Sequence, residues 1–256
     1  MRSNKENSRR NSSGIGKERR CEMTGAKTLT ELFAETGAII TGSHLVYTPK
    51  EGGWFHGSEY VNKDMISKHP FLLATCAREM SNNRTLSILF DVVAAPAVGA
   101  IFWGGLLALA RSEHLKDREI LALYAEKEFP NPDDKAQFIF SFRKPYLPDI
   151  KDKRVLVAED VTNSGMSAKK MIEAVEKAGG IVQGVAAICN RFGQKVRDFL
   201  QPHTLYPLID VSMKMWHESE CPLCQQGIPI NMNLGKAKDW MATSELGKAW
   251  KAKHGL

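Results

Sequence analysis

The chain has 256 residues, of which 43% are hydrophobic and 25% are charged, proportions that are ordinary for a globular protein. Its length suits one large α/β domain, or one domain with a small subdomain. The net charge of +6 is uneven, because residues 1–22 hold seven basic and three acidic side chains and so carry +4 of it. The rest of the chain is close to neutral, so a nucleic-acid partner is not expected.

The sequence also bears on the cellular compartment. Residues 92–110 are apolar enough to resemble a membrane span, but Pro96 and three glycines interrupt them, so a strand, a loop and a helix are predicted instead. The start of the chain lacks the apolar core of a signal peptide. Its five cysteines are an odd number with one CxxC pair, which suits a reducing compartment. A cytoplasmic protein without a membrane partner is expected.

The first third of the chain changes character near residue 27. Residues 1–26 contain almost no apolar side chain and are predicted to be a disordered basic tail, either a solvated leader or a weak attachment to a polyanion. The pattern of residues 28–40 predicts a helix that ends at Gly37. A strand or loop region follows over residues 43–60, and residues 63–80 form a helical pattern with a kink or break at its proline.

From residue 85 onward, apolar strand patterns alternate with amphipathic helix patterns. The predicted strands cover residues 85–95, 120–128, 154–161, 181–190 and 204–212, and the predicted helices cover residues 99–115, 167–180 and 194–201. Residues 136–144 are predicted to form half of a hairpin or flap. A last amphipathic helix with Trp240, Leu246 and Trp250 would dock on the body or on a partner. The alternation indicates an α/β fold with a parallel sheet covered by helices on both faces.

The segment VLVAEDVTNSGMS, residues 155–167, places two neighbouring acids between a buried strand and a small polar turn. Ligands of a parallel sheet bind beyond the carboxyl ends of its strands, which is where Glu159 and Asp160 follow Val155–Ala158. The turn with Gly165 leads into a helix N-terminus, whose N–H groups favour a phosphate. Carboxylates accept hydrogen bonds from sugar hydroxyls, so a ribose 5-phosphate fits best. The alternative is a strand ending in acids before a serine-capped helix, without a ligand.

This segment resembles the phosphoribosyl diphosphate-binding motif of type I phosphoribosyltransferases. Four further segments resemble, in the same order, parts of the orotate phosphoribosyltransferase branch: YVNKD at 60–64, AAPAVGAI at 94–101, AEK at 125–127 and CPLCQQGIPIN at 221–231. The resemblance implies a Rossmann-like parallel-sheet core with a small N-terminal hood and a flexible lid. The implied division is a hood and base-binding region at 27–84, a core at 85–212 and a C-terminal segment at 213–256.

The same resemblance implies a reaction and its residues. Ribose 5-phosphate would pass from phosphoribosyl diphosphate to a nucleobase nitrogen, with orotate the favoured base. The donor-binding residues would be Glu159, Asp160, Thr162, Asn163, Ser164, Gly165, Met166, Ser167, Ala95, Pro96, Ala97, Gly99 and Lys127. The catalytic residues would be Asp160, Lys127 and the lid cation Lys135, and the base-binding residues Tyr60, Asn62 and Lys63. Mg²⁺ held mainly through substrate phosphates, and a homodimer, are implied as well.

The chain departs from the family pattern at several positions. Ala95 and Ala100 stand where glycines are common, Met166 replaces a frequent glycine, and the lid has no histidine beside Lys135. Residues 53–55, Gly-Trp-Phe, stand where the family often has Lys-Ser-Gly. Two other functions therefore stay open: transfer to another base, and a regulator that binds phosphoribosyl diphosphate or a nucleotide without turnover.

A CxxC pair, Cys221 and Cys224, lies near the C-terminus. A structural zinc site needs about four ligands. His217 is close in sequence, whereas Cys189 or His203 would have to approach in space. Two reduced thiols in a turn are the favoured interpretation, and no protein metal site is predicted.

Overall fold

The computed structural model describes residues 28–47, 49, 52–82, 86–134, 137–211 and 213–255. The predicted basic tail and Lys135 lie outside these residues. The described chain opens with helix α1, Leu29–Glu35, whose N-cap Thr28 forms a reciprocal capping box with Glu31. Gly37 follows the helix at a φ of 70°, a left-handed conformation that glycine adopts at low cost. The first predicted helix is thus confirmed.

Short elements precede the main sheet. They are β1 (Ile39–Ile40), β2 (Leu45–Val46), β3 (Phe55–Gly57), β4 (Tyr60–Val61), α2 (Lys63–Ser67) and α3 (Pro70–Asn82). Strand β1 pairs antiparallel with β4, and β2 pairs antiparallel with β3. The predicted break at Pro70 is confirmed, since this residue begins α3, where its missing N–H has no intrahelical partner to lose.

Six strands of the described chain form the main sheet. They are β5 (Val92–Pro96), β6 (Leu121–Glu128), β7 (Ile139–Phe142), β8 (Arg154–Thr162), β9 (Ile181–Asn190) and β10 (Leu205–Asp210). Their order is β10-β9-β8-β5-β6-β7, with every neighbouring pair parallel except β6 and β7. The predicted parallel-sheet α/β class is confirmed, and so is the hairpin expected at residues 136–144.

Helices cover both faces of this sheet. They are α4 (Ile101–Leu115), α5 (Leu147–Ile150), α6 (Met166–Lys177) and α7 (Gln194–Leu200). Successive strand residues point to opposite faces. Accordingly, Leu156 and Ala158 pack with α3 and α4, whereas Val155 and Val157 pack with α5, α6 and α7. The central strand β8 is therefore apolar on both sides, as a buried parallel strand must be.

The strand predicted from residue 85 is shorter than expected, because β5 begins only at Val92. Leu86 and Phe90 are buried in the core beside α3 and α4 without belonging to the sheet. Apolar periodicity reports burial, so it cannot separate a strand from an irregular segment that packs under one. The rest of the 92–110 stretch is a turn and α4, as its proline and glycines predicted. Within the described residues, no helix has the length and apolarity needed to cross a membrane.

The C-terminal segment adds a strand and three helices to the described chain. They are β11 (Met215–His217), α8 (Pro222–Gln225), α9 (Ala237–Thr243) and α10 (Glu245–Lys253). Strand β11 pairs antiparallel with β3, so the segment extends the N-terminal sheet. The single C-terminal helix of the sequence prediction is wrong: Ser244 takes an extended conformation and caps α10 by accepting from the Gly247 N–H. Trp240 is buried against Val46, but Leu246 is exposed.

Candidate active site

The main sheet has one topological switch point between β5 and β8. The chain leaves β5 through α4 toward β6, and it leaves β8 through α6 toward β9, on the other side. The loops that follow these two strands therefore diverge and leave a crevice at the carboxyl edge of the sheet, the usual ligand position in such folds. The two loops are residues 97–100 and residues 163–165.

Two buried acids occupy the end of β8. The strand includes Glu159 and Asp160 and ends at Thr162, one residue beyond the predicted end at residue 161, so the two carboxylates project from the sheet itself. Only 7% of Glu159 and 5% of Asp160 is exposed, and one oxygen of each, Glu159 Oε2 and Asp160 Oδ2, has no hydrogen-bond partner. Lys63 Nζ lies 3.7 Å from Asp160 Oδ2. Buried carboxylate oxygens without partners are costly, which indicates that a ligand completes this site.

The two acids face different parts of the crevice. Glu159 lines a hollow of about 130 Å³ together with residues 161–168. Asp160 points the other way, toward Gly99, where an added Cβ atom would lie only 2.5 Å from Asp160 Oδ2. Its Oδ1 accepts a hydrogen bond of 2.7 Å from the Val161 N–H. A glycine is thus required at residue 99 because the 97–100 loop passes directly against the Asp160 carboxylate.

Burial and the neighbouring Asp160 carboxylate raise the pKa of Glu159 well above its ordinary value. A raised carboxyl pKa means that the folded protein holds a proton that the unfolded chain releases. The contribution of Glu159 to stability is therefore present at low pH and is lost as the pH rises from the ordinary pKa of 4.5 through the raised one.

Glu159→Gln is therefore expected to stabilise the ligand-free protein, more at about pH 8 than at about pH 5, since glutamine never has to ionise in the crevice. The gain should be a few degrees in Tm, as each kcal/mol moves Tm by about 2–4 °C in a chain of this size. Thermal unfolding of both proteins across this pH range measures it. The exposed Glu173→Gln on α6 is the control, and equal pH dependence of wild type and Glu159→Gln would contradict the expectation.

The turn after β8 leads into the N-terminus of α6. Gly165 is the N-cap, with a φ of 82°, and a side chain there would also press on Phe199 and Val196 of α7. Met166 begins the helix and is partly exposed, so its replacement of a family glycine does not obstruct the turn. Asn163 and Ser164 are exposed at the rim. The free N–H groups and dipole of a helix N-terminus favour a phosphate at this position.

The other residues predicted to bind phosphoribosyl diphosphate differ in how close they lie to the crevice. Thr162 is buried, and its hydroxyl donates to Asn190 Oδ1 at 3.2 Å, below the turn. Ser167 is half-buried in the first turn of α6. Ala95 and Pro96 are buried in β5, so they shape the crevice from beneath. Ala97 and Gly99 lie in the loop itself, at the edge of the sheet.

A second, larger cavity of about 600 Å³ opens beside the turn and shares Asn163 and Ser164 with the first. Its other lining residues come from distant parts of the chain: Tyr47, Pro49, Tyr60, Arg191, Phe192, Met215, Gly235 and Lys236. Of the predicted base-binding residues, Tyr60 lines this cavity. Lys63 instead lies beside Asp160, and Asn62 is the N-cap residue of α2.

Arg191 is the functional candidate that sequence reasoning missed. Its guanidinium lies 5.9 Å from the ring centroids of Tyr47 and Tyr60, and burial lowers the pKa of this guanidinium. Its Nε donates to Met213 Sδ at 3.0 Å, and no carboxylate among the described residues pairs with it. A cation that is half-buried in an aromatic cavity without an acidic partner suits an anionic ligand. The only signal in the sequence was an arginine just after a strand.

The predicted lid forms the loop of the β6–β7 hairpin. Lys127 lies on β6 opposite Phe140, exposed, with its ammonium 3.8 Å from the centroid of the Phe138 ring. The ion pair that Asp160 makes comes from Lys63, not from Lys127. The other predicted lid cation, Lys135, lies outside the described residues. The roles of these two lysines stay predictions.

Comparison with known proteins places this site in a family. No protein-family model matches the chain. Curated orotate phosphoribosyltransferases do: that of Caldanaerobacter subterraneus subsp. tengcongensis is 31% identical over 200 residues, covering 78% of this chain and 92% of the relative. That of Carboxydothermus hydrogenoformans is 30% identical over 206 residues, which cover 79% of this chain and 94% of the relative. That of Thermus thermophilus is 30% identical over 200 residues, which cover 78% of this chain and 96% of the relative.

Solved structures agree on the fold. The orotate phosphoribosyltransferase of Aeropyrum pernix aligns with a TM-score of 0.53 at 20% identity, over 72% of this chain and 93% of that one. The enzyme of Mycobacterium tuberculosis aligns with a TM-score of 0.51 at 22% identity, over 71% and 94%. The sequence identity to relatives that are matched over nearly their whole length, together with the acidic pair and turn at the switch point, shows that this chain belongs to the orotate phosphoribosyltransferase family.

Proposed function

We propose that this protein transfers ribose 5-phosphate from phosphoribosyl diphosphate to orotate, giving orotidine 5-phosphate and pyrophosphate, a step of pyrimidine nucleotide synthesis. In this reaction the bond from ribose C1 to the pyrophosphate oxygen breaks, and a bond from C1 to the ring nitrogen forms. The observation that supports the proposal is the pair of joined cavities that share Asn163 and Ser164: one is lined by Glu159 and the start of α6, and the other by Arg191 with Tyr47 and Tyr60.

The donor half of the site is proposed to work through charge and position. Glu159 and Asp160 accept hydrogen bonds from the ribose hydroxyls with their unpartnered oxygens, and they stabilise the positive charge that develops at C1. The N-terminus of α6 holds the 5-phosphate. Lys63, beside Asp160 and the 97–100 loop, is placed to meet the negative charge of the leaving pyrophosphate rather than the base.

Mg²⁺ is the proposed cofactor. The unpartnered oxygens Glu159 Oε2 and Asp160 Oδ2 are the hard oxygen ligands that Mg²⁺ prefers, so the residues present fit the ion. These two acids would hold it directly or through water and ribose hydroxyls, together with the substrate phosphates. When bound, the ion would neutralise charge on the leaving pyrophosphate.

The acceptor half of the site is the 600 Å³ cavity, and it favours a base that carries a negative charge. Orotate is a pyrimidine with a carboxylate, and Arg191 offers a guanidinium without an acidic partner among the described residues. Tyr47 and Tyr60 supply aromatic walls for the ring. A neutral base would leave the Arg191 charge uncompensated in the cavity, which is the physical reason for preferring orotate.

The predicted lid, residues 128–137, is proposed to cover this site during turnover, with Lys127 and Lys135 brought to the pyrophosphate. Its loop carries polar residues and two prolines between the strands of a hairpin. Closure would exclude water from a C1 centre that water would otherwise attack.

A homodimer is also proposed. Four large apolar side chains are exposed along α3, α4 and the loop before α4: Phe71 at 88%, Val98 at 77%, Phe102 at 69% and Leu109 at 54%. An exposed apolar face of this kind suits a protein partner. Val98 belongs to the 97–100 loop, so a second copy there would border the donor site. Sedimentation equilibrium tests this proposal, and a monomer at micromolar concentration would overturn it.

The experiment that tests the function is pyrophosphate release from phosphoribosyl diphosphate and Mg²⁺, measured separately with orotate, uracil, xanthine, hypoxanthine and adenine. Pyrophosphate release is expected with orotate and with none of the other four bases. Release with another base alone would keep the donor chemistry and overturn the assignment of orotate. Donor binding by calorimetry without release for any base would overturn the enzyme and favour a regulator.

A further inference from the structure

Four metal-ligating side chains meet away from the crevice, in the layer between the N-terminal strands and the C-terminal segment. They are His44, next to β2, His56 on β3, Cys221 just before α8, and Cys224 within α8. Three of them are buried and Cys224 is half-buried. Their ligand atoms all lie within 4.8 Å of one another. The sequence had offered His217, His203 or Cys189 as companions of the cysteine pair, and the structure brings two other histidines instead.

The spacing of these atoms matches a tetrahedral ion. His44 Nε2 lies 3.1 Å from His56 Nδ1, Cys224 Sγ lies 3.3 Å from His56 Nδ1, and both sulfurs lie 3.6 Å from His44 Nε2. Zinc bonds of ordinary length in a regular tetrahedron would separate two nitrogens by about 3.3 Å, a nitrogen and a sulfur by about 3.6 Å, and two sulfurs by about 3.8 Å. Four of the six distances between ligand atoms therefore already fit such a site, and the two others are no longer than 4.8 Å.

Hydrogen bonding fixes the lone pair of His44 toward the centre. The 2.7 Å contact of His44 Nδ1 with the Ile228 carbonyl requires an N–H on Nδ1, which leaves Nε2 as the atom with the lone pair. A backbone carbonyl that orients a ligating imidazole in this way is typical of metal sites.

Hydrogen bonds among these four side chains leave some of their lone pairs without a partner. His44 Nε2 faces one nitrogen and two sulfurs with a single lone pair. The other ring nitrogen of His56, Nε2, is buried without a hydrogen-bond partner in either tautomer, so Nδ1 is the atom of this ring that faces the cluster. A cation at the centre receives one lone pair from each of the four groups, with no proton in between.

We propose that His44 Nε2, His56 Nδ1, Cys221 Sγ and Cys224 Sγ bind one structural Zn²⁺ ion. Two nitrogens and two sulfurs in a tetrahedron favour zinc over the harder divalent ions. Four protein ligands leave no position for water or substrate, so the ion would stabilise the fold and would not take part in chemistry.

Such an ion would fasten the two ends of the described chain to each other. His44 and Cys221 are 177 residues apart in sequence, and the whole main sheet lies between them. Beyond the cysteines, the Lys236 N–H donates to the Val46 carbonyl at 2.7 Å, and Trp240 packs edge-on against the His56 ring. Gly235 and Lys236 then line the 600 Å³ cavity. The zinc would thus hold in place the C-terminal wall of the cavity proposed for the base.

Metal analysis of the purified full chain tests the proposal. Mass spectrometry of the elements is expected to find about one zinc per chain after dialysis against a weak chelator. Cys224→Ser should lose most of this zinc and unfold at a lower temperature. Cys76→Ser is the matched control, since Cys76 is a buried free cysteine in α3, outside the cluster, and this variant should keep its zinc.

Cobalt substitution of the wild-type chain keeps the proposal testable even if Cys224→Ser fails to fold. Co²⁺ in place of Zn²⁺ should show the visible bands of a tetrahedral site and thiolate-to-metal charge transfer in the near ultraviolet. A wild-type protein that folds and binds phosphoribosyl diphosphate but neither contains nor takes up zinc would overturn the proposal. Equal zinc content in wild type and folded Cys224→Ser, or a cobalt spectrum without thiolate bands, would overturn it as well.

Discussion

Asp160→Asn is expected to lower kcat by about 10²–10³-fold, the usual cost of removing one preorganised electrostatic group from an active site. The asparagine can keep the 2.7 Å hydrogen bond that Asp160 Oδ1 accepts from the Val161 N–H. Its amide nitrogen must then occupy the position of Oδ2, where a donor replaces an acceptor and faces Lys63. The variant therefore loses both the acceptor for a ribose hydroxyl and the negative charge near C1.

The Asp160→Asn measurement is a steady-state rate of orotidine 5-phosphate formation, with circular dichroism to show that the fold survives. Glu173→Gln on the exposed side of α6 is the control for loss of one carboxylate, and it should keep the wild-type rate. Wild-type turnover in a folded Asp160→Asn would show that the acidic pair is structural and that the crevice at the switch point is not the reaction site.

Arg191→Met is expected to raise the KM for orotate by about 30- to 1000-fold, since loss of one partner in a buried charge pair costs about 2–4 kcal/mol. Methionine keeps the apolar bulk that packs between Tyr47 and Tyr60, so the cavity should keep its shape. The affinity for phosphoribosyl diphosphate should change little, because Glu159, Asp160 and the α6 N-terminus are untouched. Separate titrations of the base and the donor measure the two effects.

Arg197→Met is the matched control for this prediction. Arg197 lies on the neighbouring helix α7 and pairs with Asp210 at 2.6 Å, outside the lining of the 600 Å³ cavity. Its loss should leave the KM for orotate near that of wild type. An unchanged KM for orotate in Arg191→Met, or an equal loss of donor affinity, would show that this guanidinium does not recognise the base.

The donor half of the site could be predicted from local sequence because its parts are contiguous. A buried strand, two acids, a turn with Gly165 and an amphipathic helix follow one another within residues 155–177. The parallel sheet then places the end of that strand at the ligand edge. The strand predicted over residues 154–161 matches β8, Arg154–Thr162, to within one residue, because its run of apolar residues is continuous up to the acidic pair.

The acceptor half could not be predicted in the same way. Tyr47, Tyr60, Arg191 and Lys236 come from four separate parts of the chain, and only Tyr60 had a recognisable local pattern around it. Lys63 was assigned to the base from its neighbours in sequence, yet the fold turns it toward Asp160. Adjacency along the chain does not determine which cavity a side chain faces at the start of a helix.

The sequence by itself determined the α/β class, the order of the strands and helices that form the main sheet and cover it, and the acidic pair followed by a glycine turn, because hydrophobic periodicity and turn chemistry act over a few residues. Only the tertiary structure decided which distant groups meet: Lys63 with Asp160, Arg191 with Tyr47, and His44 and His56 with the cysteine pair. Such contacts form when the main sheet packs and the β11–β3 pairing brings the N-terminal and C-terminal parts of the described chain together. Chain connectivity gives them no local signature, so they could only be found in the folded molecule.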